Sequence, residues 1–277
     1  MSYSGTIRKM KGDLQSGEDP VQYHLPLRNI EEPDNLDKEI LVPMNDFLGK
    51  EITLDYQESI YDIYDGKSIK KSYGQGFSYK NFISLARCDS CIVKPELCHY
   101  HKGTCREPKW GEEHCFIPHV IYLSITSGVK IGITRETQVP TRWIDQGAVY
   151  ALPILKVADR KTSGMVEVEL AKTMADKTNW RNMLKCEYEF VDLELIRDQI
   201  FEEYGDLLDD ADADDIEEDI LEIKYPILEV PKKFSSLSFD KKQKIEGTLL
   251  GIKGQYLILD TGVINMRKHQ GYHITLS

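Results

Sequence analysis

The sequence predicts an α+β protein assembled from several small parts. Three observations carry that expectation. Short β-type runs punctuated by Gly, Pro, Asn and Asp occupy both ends of the chain. Five of the six cysteines fall within residues 88–115. Between the cysteines and an acidic stretch lies a segment whose local signals alternate between strand and helix.

That segment, residues 120–180, is the best defined. Two apolar runs, 120–125 and 129–133, are joined by Thr126-Ser127-Gly128 and predict a β-hairpin. A helix follows from Pro140, through Thr141, Arg142, Trp143 and Ile144, and closes at Gly147. Residues 151–157 predict a third strand. Ser163-Gly164 opens a second helix with the sequence M-V-E-V-E-L-A-K-T-M. The expected order is ββαβα. Glu167 and Glu169 both flank the apolar stripe of Val166, Val168 and Leu170, so the pattern alone does not choose between them.

The N-terminal region, residues 1–86, predicts small β structure at 6–10, 22–27, 39–43 and 49–56, with a turn at Pro33-Asp34-Asn35. Within it, Tyr61-x2-Tyr64 and Phe77-x2-Lys80 have the outline of a zinc ribbon whose ligands are all replaced. Aromatic packing of Tyr73, Phe77 and Tyr79 is expected there in place of metal. Residues 224–277 predict a small β unit, with strands at 244–250, 255–259, 262–266 and 273–276. It reads either as a phosphate-contacting module or as a packing unit that joins the N-terminal strands.

Residues 87–119 form the cysteine-rich segment. Cys88-x2-Cys91 brings two thiols to one turn, the usual first half of a tetrahedral zinc site. The leading ligand set is Cys88, Cys91, Cys105 and Cys115, with Cys98 or His99 as substitutes. A site closed by four protein ligands is structural rather than catalytic.

The net charge of −11 is unevenly spread. Residues 187–223 hold 17 acidic residues and one basic one; residues 87–185 hold 15 basic and 11 acidic. The acidic stretch begins as a helical pattern and is expected to continue as a solvated linker, or as an acidic flap over a basic face. It lacks the order of a calcium loop. The body is too mildly basic for a tight non-specific nucleic-acid binder, but its charge does not exclude a nucleic-acid partner. No apolar run approaches the roughly 20 residues needed to cross a bilayer, and residues 1–12 lack a signal core. The expectation is a cytoplasmic protein without a membrane partner. The parts are therefore 1–86, 87–119, 120–186, 187–223 and 224–277.

The central segment resembles the GIY-YIG nuclease superfamily. The first signature falls on Val120-Ile121-Tyr122 and the second on Lys130-Ile131-Gly132, a K-I-G variant. Val120 stands where the name has Gly, and Lys130 where it has Tyr. The resemblance covers roughly 60 residues. It implies a fold built on the ββαβα core and a metal-dependent endonuclease acting on DNA or RNA. Tyr122 would be the base or base-assisting hydroxyl, Arg142 the phosphate clamp and Glu167 the ligand of one magnesium or manganese ion. Lys130, in place of the second tyrosine, would hold phosphate or hydroxide. Gly132 would let phosphate approach the backbone, Arg135, Gln146 and Arg160 would contact the nucleic acid, and His119 is an alternate base. A longer string, from C-D-S-C through K-I-G-I-T-R to R-W-I-D-Q-G-A, resembles an uncharacterised bacterial family of unknown function. Two activities follow from these resemblances: phosphodiester hydrolysis, or, because Lys130 replaces tyrosine, a zinc-containing protein that binds DNA or RNA without cutting it.

Overall fold

The computed structural model describes residues 2–15, 19–30, 38–172, 179–231 and 234–277. The expected turn at Pro33-Asp34-Asn35 and the last two residues of the second expected helix lie outside them. The fold is α+β with two sheets. The chain forms two compact units, Met1–Ile83 with Lys224–Ser277, and Ser84–Ile223. No helix of the described residues is long and apolar enough to cross a membrane.

The first unit begins with β1 (Tyr3–Ile7), β2 (Lys11–Asp13), β3 (Gln22–Arg28), β4 (Glu39–Pro43), β5 (Glu51–Tyr61), β6 (Ser68–Ile69) and helix α1 (Tyr79–Ser84). The second unit continues with α2 (Pro108–His114), β7 (His119–Ile125), β8 (Val129–Arg135), α3 (Thr141–Gln146), β9 (Tyr150–Val157), α4 (Arg160–Leu170), α5 (Trp180–Leu184), α6 (Leu193–Asp210), β10 (Asp214–Asp215) and β11 (Leu221–Glu222). The chain then returns to the first unit for β12 (Ser236–Leu237), β13 (Lys244–Lys253), β14 (Tyr256–Leu259), β15 (Gly262–Asn265) and β16 (Tyr272–Leu276).

Residues 1–86 and 224–277, separate in sequence, contribute to one sheet. Its order is β12-β15-β14-β13-β5-β16-β1-β3-β2, with β4 on β3 and β6 on β5. Strand β5 lies between β13 (Leu54 opposite Ile245) and β16 (Leu54 opposite Leu276). Ile7, Leu25, Leu54, Ile245, Ile258 and Ile274 are fully buried and form its core. In the region with the outline of a replaced ribbon, a carboxylate does the joining. Asp62 is buried and accepts hydrogen bonds from the backbone of Tyr64 at 2.7 Å and Ser78 at 2.6 Å, and from Asn81 Nδ2 at 2.8 Å. Tyr73 packs against Tyr79 with ring centroids 5.3 Å apart.

The second unit follows the ββαβα order. Its sheet runs β10-β9-β7-β8, with β11 also on β9. Strand β7 is central and buried along its whole length, as its unbroken apolar run demands. Helix α3 ends at Gly147, whose φ of 72° is the left-handed stop glycine favours. One boundary differs from expectation. Helix α4 starts three residues before Ser163, because the Asp159 side chain accepts the Thr162 backbone N–H at 2.9 Å and caps it.

The acidic stretch is an ordered part of this sheet. Residues 193–210 are helical. Asp214 and Asp215 then pair with Lys156 and Leu155, and Leu221 and Glu222 with Ala151 and Tyr150. Two short acidic strands thereby cover the edge of β9, a standard way of blocking further pairing.

Candidate active site and cysteine cluster

Tyr122 sits mid-way along β7, directly opposite Gly132 of β8. Opposed residues of an antiparallel pair project from the same face, so the tyrosine ring lies across the glycine. A Cβ on Gly132 would stand 2.7 Å from the Tyr122 hydroxyl oxygen. Only the absent side chain lets the ring lie there. The edge of Trp143, from α3, closes the ring's flank with centroids 5.7 Å apart.

The hydroxyl donates to Oε1 of Gln146 at 2.9 Å. The Arg142 guanidinium also hydrogen-bonds it, and the Glu167 carboxylate lies within electrostatic range. Arg142 and Gln146 are four apart on α3, so one helix face presents both. Glu167 comes from α4. Residues of β7, β8 and α3 therefore meet at one hydroxyl, with Glu167 of α4 within electrostatic range. Burial pushes the Tyr122 hydroxyl up to about 12, although Arg142 acts to lower it. The group keeps its proton at neutral pH and is hydrogen-bonded to both Gln146 and Arg142.

Lys130 pairs with Ser124, two positions from Gly132, and so shares the face of Tyr122. Arg135 does not. It stands opposite His119, on the other face of the hairpin. Arg160 caps neither group. Its guanidinium donates to the Ile92 carbonyl, and its backbone N–H to the Cys115 carbonyl at 2.8 Å. Arg160 thus ties α4 to the cysteine segment. His119 is fully buried, with Nδ1 2.7 Å from the Ile117 carbonyl and Nε2 unpartnered among the described residues. Burial holds its pKa down to about 4, with Arg160 and Arg135 adding to the effect. It is neutral, and it does not face the Tyr122 hydroxyl.

The cysteine segment is a chain of tight turns with one short helix, α2. All six cysteines of the chain are thiols without disulfides, each partly buried. Cys91, Cys98, Cys105 and Cys115 line one cavity of about 20 Å³, with Trp110 and Phe116 among its walls. Cys88 is not in that lining. Cys88 and Cys91 lie on consecutive tight turns, 86–88 and 90–92, and Cys98, expected only as a substitute ligand, lines the cavity that Cys88 does not. Burial pushes the Cys91 thiol up to about 11, and Asp89 and the three other thiols add to the rise. A second set is compatible with a metal: ligand atoms of Asp89, Cys91 and His99 lie within 4.8 Å of one another. Asp89 there already receives Arg106 Nε at 2.8 Å and faces His99 Nε2 at 3.4 Å. Burial alone would raise its pKa; Arg106 and the hydrogen bonds outweigh that and hold it low.

Sequence reasoning missed the residue that seats α4 on this segment. A Cβ on Gly164 would stand 2.6 Å from Pro95 Cβ and 2.9 Å from the Glu96 nitrogen. A glycine inside an amphipathic helix is a signal of such close approach. The Asp159 cap was also legible, as an Asp just ahead of the helical run.

Comparison with known proteins adds one finding. A family model described as "Protein of unknown function (DUF2797)" matches residues 49–274. No curated protein and no solved structure matches.

Proposed function

The chain belongs to the DUF2797 family, whose function is unknown, and from the geometry at Tyr122 we propose that it hydrolyses phosphodiester bonds of nucleic acid through a GIY-YIG-like site. The observation that carries this reading is the meeting of Tyr122, Gly132, Arg142 and Gln146 at a single hydroxyl, with Glu167 within electrostatic range of it.

Cleavage of a phosphodiester builds negative charge on the non-bridging oxygens. A guanidinium held in place is a suitable partner, since its fork matches two oxygens at once. The Tyr122 hydroxyl and the helix face it shares with Gln146 hold Arg142 in that role. Lys130, on the same face, offers a second cation to the phosphate. Glu167 would hold magnesium or manganese; a lone carboxylate suits an ion that keeps most of its waters. When bound, that ion supplies charge stabilisation and a more acidic water. Tyr122, which keeps its proton, orients these groups and takes no proton itself.

A second reading is binding without cleavage. Two observations favour it: the Tyr122 side chain has no exposed surface, and Lys130 replaces the second tyrosine. The cysteine segment would then be a structural part of a DNA- or RNA-binding protein.

The test is a cleavage assay on single- and double-stranded DNA and RNA with magnesium or manganese, comparing the wild type with Glu167→Ala. Cleavage by the wild type and none by Glu167→Ala, with binding retained by both, is the expected result. Cleavage by Glu167→Ala sinks the assignment. Binding by both and cleavage by neither establishes the second reading.

A further inference from the structure

We propose that Cys91, Cys98, Cys105 and Cys115 bind one zinc ion as a closed four-thiolate site, and that this site anchors the helix α4.

The four thiols come from four separate places: the turn 90–92, the end of the turn 95–97, the approach to α2 and the residue after α2. They line one cavity of about 20 Å³, room for one water-sized body. The two remaining cysteines do not share it. Cys88 lies outside the lining, and Cys186 follows α5. A common cavity lined by four thiols is a donor set that a thiophilic ion fits.

Between Leu85 and Phe116 the chain makes short 3-10 turns and one helix of seven residues. Its exposed apolar residues include Val93, Leu97 and Phe116. A segment of this size with so little regular structure lacks the apolar core to hold itself, and small units of this kind rely on a metal or disulfides. Disulfides are absent.

Binding breaks four S–H bonds, forms four Zn–S bonds and releases four protons, with no change of oxidation state; the closed site carries a net charge of 2−. Arg160 lies within electrostatic range of Cys115 and Cys91 and offsets part of that charge. Zn–S bonds of about 2.3 Å set the sulfurs about 3.8 Å apart. Among the described residues the set of ligand atoms lying within 4.8 Å of one another is Asp89, Cys91 and His99, so the four sulfurs would have to draw together by side-chain rotation as the ion binds. The rival set of Asp89, Cys91 and His99 is less suited, because Arg106 at 2.8 Å already neutralises Asp89.

The site is joined to α4 at three points. The Arg160 backbone N–H donates to the Cys115 carbonyl, the Arg160 guanidinium donates to the Ile92 carbonyl, and Gly164 packs on Pro95. Ile92 follows one ligand, Pro95 lies between two, and Cys115 is itself a ligand. Loss of the ion removes the reason for these turns to hold their shape, and α4 loses its seat.

The experiment uses the full chain purified under reducing conditions. Zinc is counted per chain, and the zinc is then exchanged for cobalt(II). The expected result is one zinc per chain and a cobalt spectrum with strong sulfur-to-metal charge transfer and tetrahedral d–d bands. Cys98→Ser and Cys105→Ser lose the metal, whereas Cys88→Ser and Cys186→Ser keep one per chain. Loss of metal by Cys88→Ser with retention by Cys98→Ser overturns the ligand set. Failure of the wild type to bind zinc, or iron with sulfide in its place, overturns the site. If Cys98→Ser does not fold, the cobalt spectra of wild type and Cys88→Ser decide the ligand set. Removal of zinc with a chelator should raise amide exchange in residues 160–170; unchanged exchange there overturns the anchoring role.

Discussion

Gly132 and the Tyr122 hydroxyl occupy what would otherwise be the same space: a Cβ on the glycine would lie 2.7 Å from the phenolic oxygen. The glycine is therefore part of the site even though it contributes no functional group.

Gly132→Ala should push the Tyr122 ring off Gln146 and Arg142. Overpacking of this kind costs about 1–3 kcal/mol. Chemical denaturation should show that loss. A variant as stable as the wild type would mean that the ring has room the structure does not give it.

Arg142 and Lys130 should each act on phosphate. If the chain binds nucleic acid, Arg142→Ala and Lys130→Ala should weaken binding to all sequences alike. Each should also reduce the slope of log affinity against log salt by about 1. Titrations at several salt concentrations read this directly. Slopes unchanged in both variants would remove these side chains from the interface.

His119 should make stability fall as the solution is acidified. Its folded pKa is depressed to about 4 by burial, below the unfolded value of about 6.5. Between those values the unfolded chain binds the proton and the folded chain does not, so stability declines as pH drops from about 6.5 toward 4. The full effect is on the order of 3 kcal/mol. His119→Asn, which retains a donor near the Ile117 carbonyl, should flatten that part of the profile; an unaltered profile would assign the acid sensitivity to other groups.

Asp62 should act in the same direction at lower pH. Burial would raise its pKa, but the hydrogen bonds from Ser78, Tyr64 and Asn81 hold it below the usual carboxylate range. A carboxylate with a depressed folded pKa contributes stability above its unfolded value of about 3.9, and that contribution is lost as pH falls through the folded value. Asp62→Ala leaves three donors without their acceptor and should cost about 3 kcal/mol at neutral pH. Thermal unfolding of the two proteins at neutral and acid pH measures both effects: the gap should narrow in acid.

The ββαβα order of the second unit was legible because its signals are local. The turn at Ser127-Gly128, the stop at Gly147 and the apolar run of β7 each act within a few residues. The resemblance named Tyr122, Arg142 and Glu167 as partners, but the ring of Tyr122 over Gly132 and its hydrogen bond to Gln146 depend on strand register and helix packing that no spacing rule supplies. Arg135 and Arg160 show the limit: composition marks both as cations, but the hairpin register turns one away and the cysteine segment takes up the other. That Cys98 and not Cys88 lines the cavity shared by the other three thiols depends on the path of the turns between them, which spacing alone does not give. The pairing of the acidic residues with β9 was hidden because Asp is a poor strand former, and edge pairing here is backbone chemistry that side-chain pattern does not encode.

The placement of β5 between β13 and β16 also sets an order of events during synthesis. Ile245 and Leu276, the partners of Leu54, leave the ribosome long after it. Residues 84–223 have emerged in full before either partner strand exists. The second unit therefore has the opportunity to fold first, while β5 lacks both β13 and β16 and has only β6 to pair with at its end. A nascent chain stalled near residue 230 would expose the central strand of its larger sheet, and that is the stage at which chaperone protection matters most.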